Sequence, residues 1–354
     1  MQIAGAWSWR ILVLVGVIAV FLFLIMQLRY IVIPFMIAIL LAALLVPLVQ
    51  FLVRHRWPKW LAVALAEVGT IAVITGLVYL VVVQIVWGFP SLQERTLQSF
   101  EELKRFLLES PLHLADGQIN AYVDQAFTQL QRDSAFLVTG ALSVGSSAGH
   151  FIAGLLLTLF ATLFILIDGQ GIWRWIVRLF PRRARPAVDG AGQSGWVTLT
   201  TFVKVQIFVA AVDAIGIGLG ALILGVPLAI PIAVAVFLGS FVPVVGALVT
   251  GALAVFIALV YNGPVIALIM LAIVLFVQQL EGHVLQPLVM GTAVKIHPLA
   301  VVFAVAAGSF IAGIPGALFA VPVVAVLNVM VRYIASGQWR SNPGQQDKDV
   351  PANG

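Results

Sequence analysis

Four charged side chains stand in or at the edge of apolar stretches: Glu67, Lys204, Asp213 and Glu281. A charge near the centre of a lipid bilayer costs at least ~2.5 kcal/mol, so each is a functional candidate by default. Asp213 and Glu281 are candidate proton or cation sites, with Lys204 as a candidate counter-charge. Lys204 and Asp213 are nine residues apart. That separation is about 100° around a helix axis, so the two need not face each other. Gln206, Gln278 and Gln279 are candidate hydrogen-bond donors to a polar solute. The competing reading of all these groups is polar glue between membrane helices. His297, before Pro298, reads first as a cap or interface residue and second as part of a solute path. One pattern looks hydrolytic, Gly145-Ser146-Ser147-Ala148-Gly149 followed by His150. A nucleophile elbow needs a strand before it and a helix after it. Here the motif opens an apolar run, where Gly145 and Gly149 make a small-residue packing face. A membrane-embedded serine hydrolase using Ser147 is kept only as an alternative of another class, and the chain is not read as an enzyme.

Other chemistry is missing from the sequence. There is no Gly-x-x-x-x-Gly-Lys-Ser/Thr for ATP and no His-Glu-x-x-His for zinc. With no cysteine there is no thiolate ligand, thiol nucleophile or disulfide. No cofactor and no metal are expected. Movement of a solute would have to draw on a gradient or an unseen partner.

The elements that must position these residues are apolar. Hydrophobic residues make up 62% of the 354 and charged residues 9%, where a soluble domain carries about a quarter charged. Nineteen basic and 14 acidic side chains cannot cover a water-facing surface of this size. That excludes a soluble enzyme, a disordered regulator and a nucleic-acid-binding module, despite the net charge of +5. Runs free of charge span 11–28, 30–53, 68–93, 134–167, 214–280 and 296–331. A crossing needs about 20 apolar residues. Gly225-Val226-Pro227 and Asn262-Gly263-Pro264 divide the longest run, and a further crossing is expected over 197–224. The count is eight. The fold class is therefore all-α: a polytopic membrane protein of about eight transmembrane helices, with Gly/Pro-broken or re-entrant segments in its C-terminal half and a small helical extramembrane insert. Arg10 followed by 11–26 resembles a signal peptide, but the run is long and lacks an Ala-x-Ala site, so a retained helix is expected.

Five regions follow: N-terminal transmembrane helices 1–3 over 1–88, the insert over 89–133, helix 4 and an interfacial helix over 134–190, a C-terminal transport core with broken helices over 191–335, and a disordered tail over 336–354. In the insert, Ser91 and Glu94 form a capping box. Leu97, Phe100, Leu103 and Leu107 then recur at helical spacing, and Ile119, Tyr122, Val123, Ala126 and Leu130 mark a second face. After Asp168, Ile172, Trp175, Ile176 and Leu179 share one face and Arg174 and Arg178 another, which predicts a short anchoring helix in the interface. Arg54, Arg56 and Lys59 form one basic cluster; Arg174, Arg178, Arg182, Arg183 and Arg185 a second; Arg332 and Arg340 a third. Eight crossings with both termini cytoplasmic place all three on the cytoplasmic side. The insert, with seven acids against four bases, then lies outside.

The strongest signal is backbone breakage. Pro227, Pro231, Pro243 and Gly246 interrupt one apolar region; Pro298, Gly308, Gly313, Pro315, Gly316 and Pro322 interrupt another. Val242-Pro243-Val244-Val245 and Val321-Pro322-Val323-Val324 are near copies. A broken helix in lipid frees N–H and C=O groups that must be buried in protein or line a cavity. Paired interrupted segments are the best sequence pointer to a transporter site near mid-membrane. Pro243, Gly246, Pro287, Pro315, Gly316 and Pro322 would shape that site. Two alternatives remain: kinked packing helices, and a non-transporting scaffold with a filled interior.

These residues resemble the autoinducer-2 exporter family of bacterial membrane transporters. The likeness is carried by Phe164-x-x-x-Asp168-Gly169 with Phe180-Pro181-Arg182, Phe202-Val203-Lys204-Val205-Gln206, Gly225-Val226-Pro227 and Phe241-Val242-Pro243-Val244-Val245-Gly246. The most specific part is Glu281-Gly282-His283-Val284-Leu285-Gln286-Pro287, Met290-Gly291, Ile296-His297-Pro298 and Gly313-Ile314-Pro315-Gly316-Ala317-Leu318-Phe319-Ala320-Val321-Pro322. Phe202 and Val205 stand where the family usually has Tyr and Gly, so specificity could differ if that stretch touches solute. The resemblance implies a secondary transporter of the bacterial inner membrane. It implies export of autoinducer-2 or a related small polar molecule, or sodium/proton exchange. It also implies a homo-oligomer, a pentamer, with an elevator-like moving part. The expected partners are a small solute or ion and the lipid bilayer.

Overall fold

A computed structural model describes residues 23–83, 152–242, 245–285 and 298–340, with Gly149 and scattered positions between 12 and 20. Among the described residues the structure is helical and contains no strand. The helices are α1 (Arg29–Arg54), α2 (Lys59–Val83), α3 (Ile152–Arg178), α4 (Arg185–Ile223), α5 (Ala229–Gly239), α6 (Val245–Asn262), α7 (Pro264–Leu280) and α8 (Pro298–Ala335). A one-turn π segment, Glu281–Leu285, follows α7. Seven stretches are long and apolar enough to cross a membrane. Of the eighth expected crossing, 11–28, residues 23–28 and scattered positions before them are described. The insert over 89–133, Ser147, Pro243, Pro287, His297 and the tail beyond 340 lie outside the described residues.

The chain divides into two compact units. The first comprises 1–72, 156–208 and 285–354. Its core forms where small residues let helices approach closely. Ala42, Leu45 and Val49 of α1 pack with Ala62, Val63 and Ala66 of α2 and Leu166 of α3. Ala43 packs with Leu199 and Val203 of α4. Three further links gather the basic clusters at one end of this unit. The Lys59 ammonium donates to the Ile167 carbonyl. Trp173 Nε1 donates to Asp189 Oδ1 at 2.8 Å. Tyr333 of α8 lies against Gly190 of α4.

The second unit comprises 73–155 and 209–284. Its core joins Ala214, Ile217 and Ala221 of α4, Ile232 and Val236 of α5, Ala254, Ile257 and Ala258 of α6, and Met270, Val274 and Val277 of α7. Helices end where the sequence predicts. Gly225 follows α4, and Gly263 precedes Pro264 at the start of α7. Asn262 Nδ2 donates to the Gly225 carbonyl at 3.3 Å, tying the two turns together.

Several expectations are revised. The anchoring helix after Asp168 is not a separate element, because α3 runs unbroken to Arg178. Nothing over 168–178 breaks a helix, and Asp168 instead bonds forward within it, accepting from the Gly171 N–H. Trp175 and Leu179 are exposed as the face analysis expects, whereas Trp173 turns onto α4, where its ring covers Gly192. α2 starts at Lys59, nine residues before the charge-free run opens at 68, so Glu67 sits about 12 Å into the helix, as the sequence spacing from Lys59 implies. The crossing expected over 197–224 belongs to a helix that starts at Arg185.

Candidate functional site

Two helical hairpins carry the Gly/Pro signals, one in each unit. In the second unit, α5 has 11 residues, about 16 Å of rise and too short to cross a bilayer. The chain turns after Ser240 and returns as α6. The turn is tight because Gly246 meets the Gly239 backbone directly: a Cβ at 246 would collide with the Gly239 carbonyl. Main-chain atoms in such contact leave no alternative to glycine.

In the first unit, α8 is not one rod. Ala312 (φ −139°, ψ 18°) and Gly313 (φ 64°, ψ −144°) leave the helical region. Gly308 lies against the Gly316 carbonyl and the Ala320 methyl. In a continuous helix residues eight apart are about 12 Å apart, so the chain reverses at 312–313. The left-handed φ of Gly313 is what an L side chain resists. The first arm, 298–311, rises about 21 Å and does not span; the second, 314–335, rises about 33 Å and does.

This corrects the pairing read from the near copies. Pro322 is buried inside the second arm. The residues at the reversal are Gly313, Pro315 and Gly316. Pro322 only removes one helical N–H, and neighbouring helices in a membrane tolerate that. Pro315 falls in the first turn of the second arm, where its missing N–H has no intrahelical acceptor to lose. The true counterpart of the α5–α6 turn is therefore Gly313-Ile314-Pro315-Gly316. The signal available in the sequence was glycine spacing, Gly239 to Gly246 and Gly308 to Gly316, rather than the Val-Pro-Val-Val string.

Beside the α5–α6 turn lies Asp213. It is 1% exposed, in the apolar second half of α4. The Ser240 hydroxyl, at the C-cap of α5, lies 3.1 Å from Asp213 Oδ2 and 2.8 Å from the Val236 carbonyl. Asp213 Oδ1 is buried and has no hydrogen-bond partner among the described residues. Glu281, half-buried at the end of α7, acts electrostatically on Asp213. The site thus joins α4, the α5–α6 turn and the α7 terminus through two carboxylates and one hydroxyl. Sequence reading selected Asp213, Glu281 and Gly246 but missed Ser240, whose only advance signal is its place one residue after Gly239.

The remaining candidates fall elsewhere. Gln278 is half-buried and Gln279 exposed near the end of α7. Gln206 is buried and Lys204 exposed, both in the part of α4 that belongs to the first unit. Lys204 therefore does not share the buried setting of Asp213, as the 100° separation anticipates. A second buried carboxylate oxygen without a hydrogen-bond partner among the described residues, Glu67 Oε1, lies on α2. No cluster of three or more metal-ligating side chains occurs among the described residues.

Comparison with known proteins agrees with this architecture. The family described as AI-2E family transporter matches residues 11–336. The chain belongs to the AI-2E transporter family. Its relatives include MT0215 of Mycobacterium tuberculosis (strain CDC 1551 / Oshkosh), a protein named for a transport role. The two are 40% identical over 349 residues, which cover 99% of this chain and 94% of that protein. The AI-2 transport protein TqsA of Escherichia coli (strain K12) is 25% identical over 334 residues, 93% of each chain. YrrI of Bacillus subtilis (strain 168), also named for transport, is 24% identical over 303 residues, 84% of this chain and 85% of that one. An AI-2E transporter with this fold is an all-α, multi-pass membrane protein.

Proposed function

We propose that this AI-2E transporter is a gradient-driven secondary transporter that exports a small polar solute across the bacterial inner membrane. The observation that carries this reading is the Asp213 carboxylate: almost fully enclosed, one oxygen without a hydrogen-bond partner among the described residues, close to Ser240 at a helical turn and within the electrostatic reach of Glu281. Two carboxylates in an apolar setting favour uptake of a positive charge, and a charge held inside a membrane protein is by default functional. Each hairpin offers backbone freed from helical bonding at its reversal, which must be satisfied by protein or solvent. The name of TqsA makes autoinducer-2 the first solute to test. The shared end of the three basic clusters in the first unit supports a cytoplasmic placement for that end and for both termini. A homo-oligomer, with a pentamer as the working stoichiometry, belongs to the same proposal.

The test is flux in reconstituted vesicles under an imposed proton or sodium gradient. The expected result is gradient-dependent release of autoinducer-2, lost in Asp213→Asn and reduced in Glu281→Gln with the protein still folded. Gradient-independent flux unchanged in both variants would overturn the coupling. The carboxylate pair also favours a second reading, sodium/proton antiport. It predicts cation-driven proton movement with no solute present, and loss of that exchange in Asp213→Asn while solute export persists.

A further inference from the structure

The Ser240 hydroxyl has one hydrogen, and the acceptors it reaches among the described residues include Asp213 Oδ2 at 3.1 Å and the Val236 carbonyl at 2.8 Å. A hydroxyl donates once at a time. The Val236 carbonyl already accepts from the Ser240 backbone N–H at 2.8 Å, so it does not depend on the side chain. A charged carboxylate is the stronger acceptor. We propose that Asp213 binds an exchangeable proton and that Ser240 is the positioning residue that relays its arrival to the α5–α6 turn.

With Asp213 charged, Ser240 O–H donates to Oδ2. A proton from water then bonds to Oδ2. The new Oδ2–H donates to Ser240 Oγ, and the Ser240 hydrogen swings onto the Val236 carbonyl. The donor is a hydronium ion of the aqueous phase: one of its O–H bonds breaks as Oδ2–H forms, water is released, and the carboxylate charge is neutralised. The same two side chains stay in contact while the direction of every hydrogen bond between them reverses. Because Ser240 caps α5 one residue from the Gly239–Gly246 contact, the reversal places a second hydrogen bond on the last turn of α5. A proton needs no cavity, which suits a carboxylate that is 1% exposed. Other titratable side chains described in this unit are Tyr79, Tyr261, Glu281 and His283; Glu281 is the one whose charge acts on Asp213. Lys204, on the same helix, is exposed.

The inference rests on the coupling role given to Asp213 above, but its test uses no solute, so either can fail alone. The measurement is an acid-minus-alkaline infrared difference spectrum of the full-length protein in lipid, in H₂O and in D₂O. The expected result is a carboxylic C=O band that shifts on deuterium exchange and is absent in Asp213→Asn. In Ser240→Ala that band moves to higher frequency, because the acid has lost its acceptor, and in Ser240→Thr it returns. Wild-type and Asp213→Asn spectra that coincide would overturn the proton site. A band indifferent to Ser240→Ala would overturn the relay, even if autoinducer-2 flux proved normal.

Discussion

At Gly246, nothing but a hydrogen atom fits between two backbones. Replacement by Ala presses a methyl group onto the Gly239 carbonyl, and overpacking of this kind costs about 1–3 kcal/mol. Gly246→Ala is expected to lower the midpoint of thermal unfolding in detergent by several degrees, whereas Gly76→Ala, which faces open space within α2, should not lower it, since Ala favours a helix interior over Gly. Asp213 presents the opposite problem, a polar group where apolar atoms are expected. Its unusual setting was legible from sequence because any acid in such a run is costly. Ser240 was not legible. Serine is common after helices, and only the fold brings residues 27 positions apart to hydrogen-bond distance. Lys204 was equally ambiguous in sequence, since spacing gave an angle but no solvent exposure.

Elements were read well where glycine and proline end a helix and poorly where they bend or reverse one. Gly225-Val226-Pro227 and Asn262-Gly263-Pro264 fall between helices as expected. Pro322 looked like a break and is not one, because a single missing N–H leaves the helical path intact. Gly313 was one of six interruptions read in its run and is the one that turns the chain back, because only its φ of 64° distinguishes it, and φ is not visible in composition. Two substitutions separate these roles. Pro322→Ala should retain both unfolding midpoint and flux. Gly313→Ala should destabilise by about 1–2 kcal/mol through left-handed strain and depress flux. The α3–α4 junction offers a third check. Trp173→Phe deletes the bond to Asp189 together with the outer ring atoms that lie over Gly192. A hydrogen bond to a charged acceptor contributes about 1.5–3 kcal/mol, so a lowered midpoint with preserved flux is expected.

For the molecule as a whole, composition alone decided the solvent. A chain that is 62% hydrophobic folds into spans because its backbone must be satisfied inside lipid. The number of spans was harder to read, since a charge-free run does not say whether it crosses once or enters and returns, as 296–331 shows. Sidedness is open to a simple test because the protein has no cysteine of its own. Arg56→Cys, Arg182→Cys and Arg340→Cys should each react with an impermeant thiol reagent only from the cytoplasmic face. Gln98→Cys, in the acidic insert, should react only from the opposite face. Labelling of Arg182→Cys and Arg340→Cys from different faces would contradict the gathering of basic segments described for the first unit.

The reversal at Ala312–Gly313 also has an electrical consequence. It sets the carbonyl-rich finish of one helical arm beside the amide-rich beginning of the next. Their opposite partial charges, each about half an elementary charge, nearly cancel a short distance away. A molecule nearing that bend would feel individual dipoles at close range and almost no field from afar. Ionic strength should therefore have little influence on how fast it arrives there.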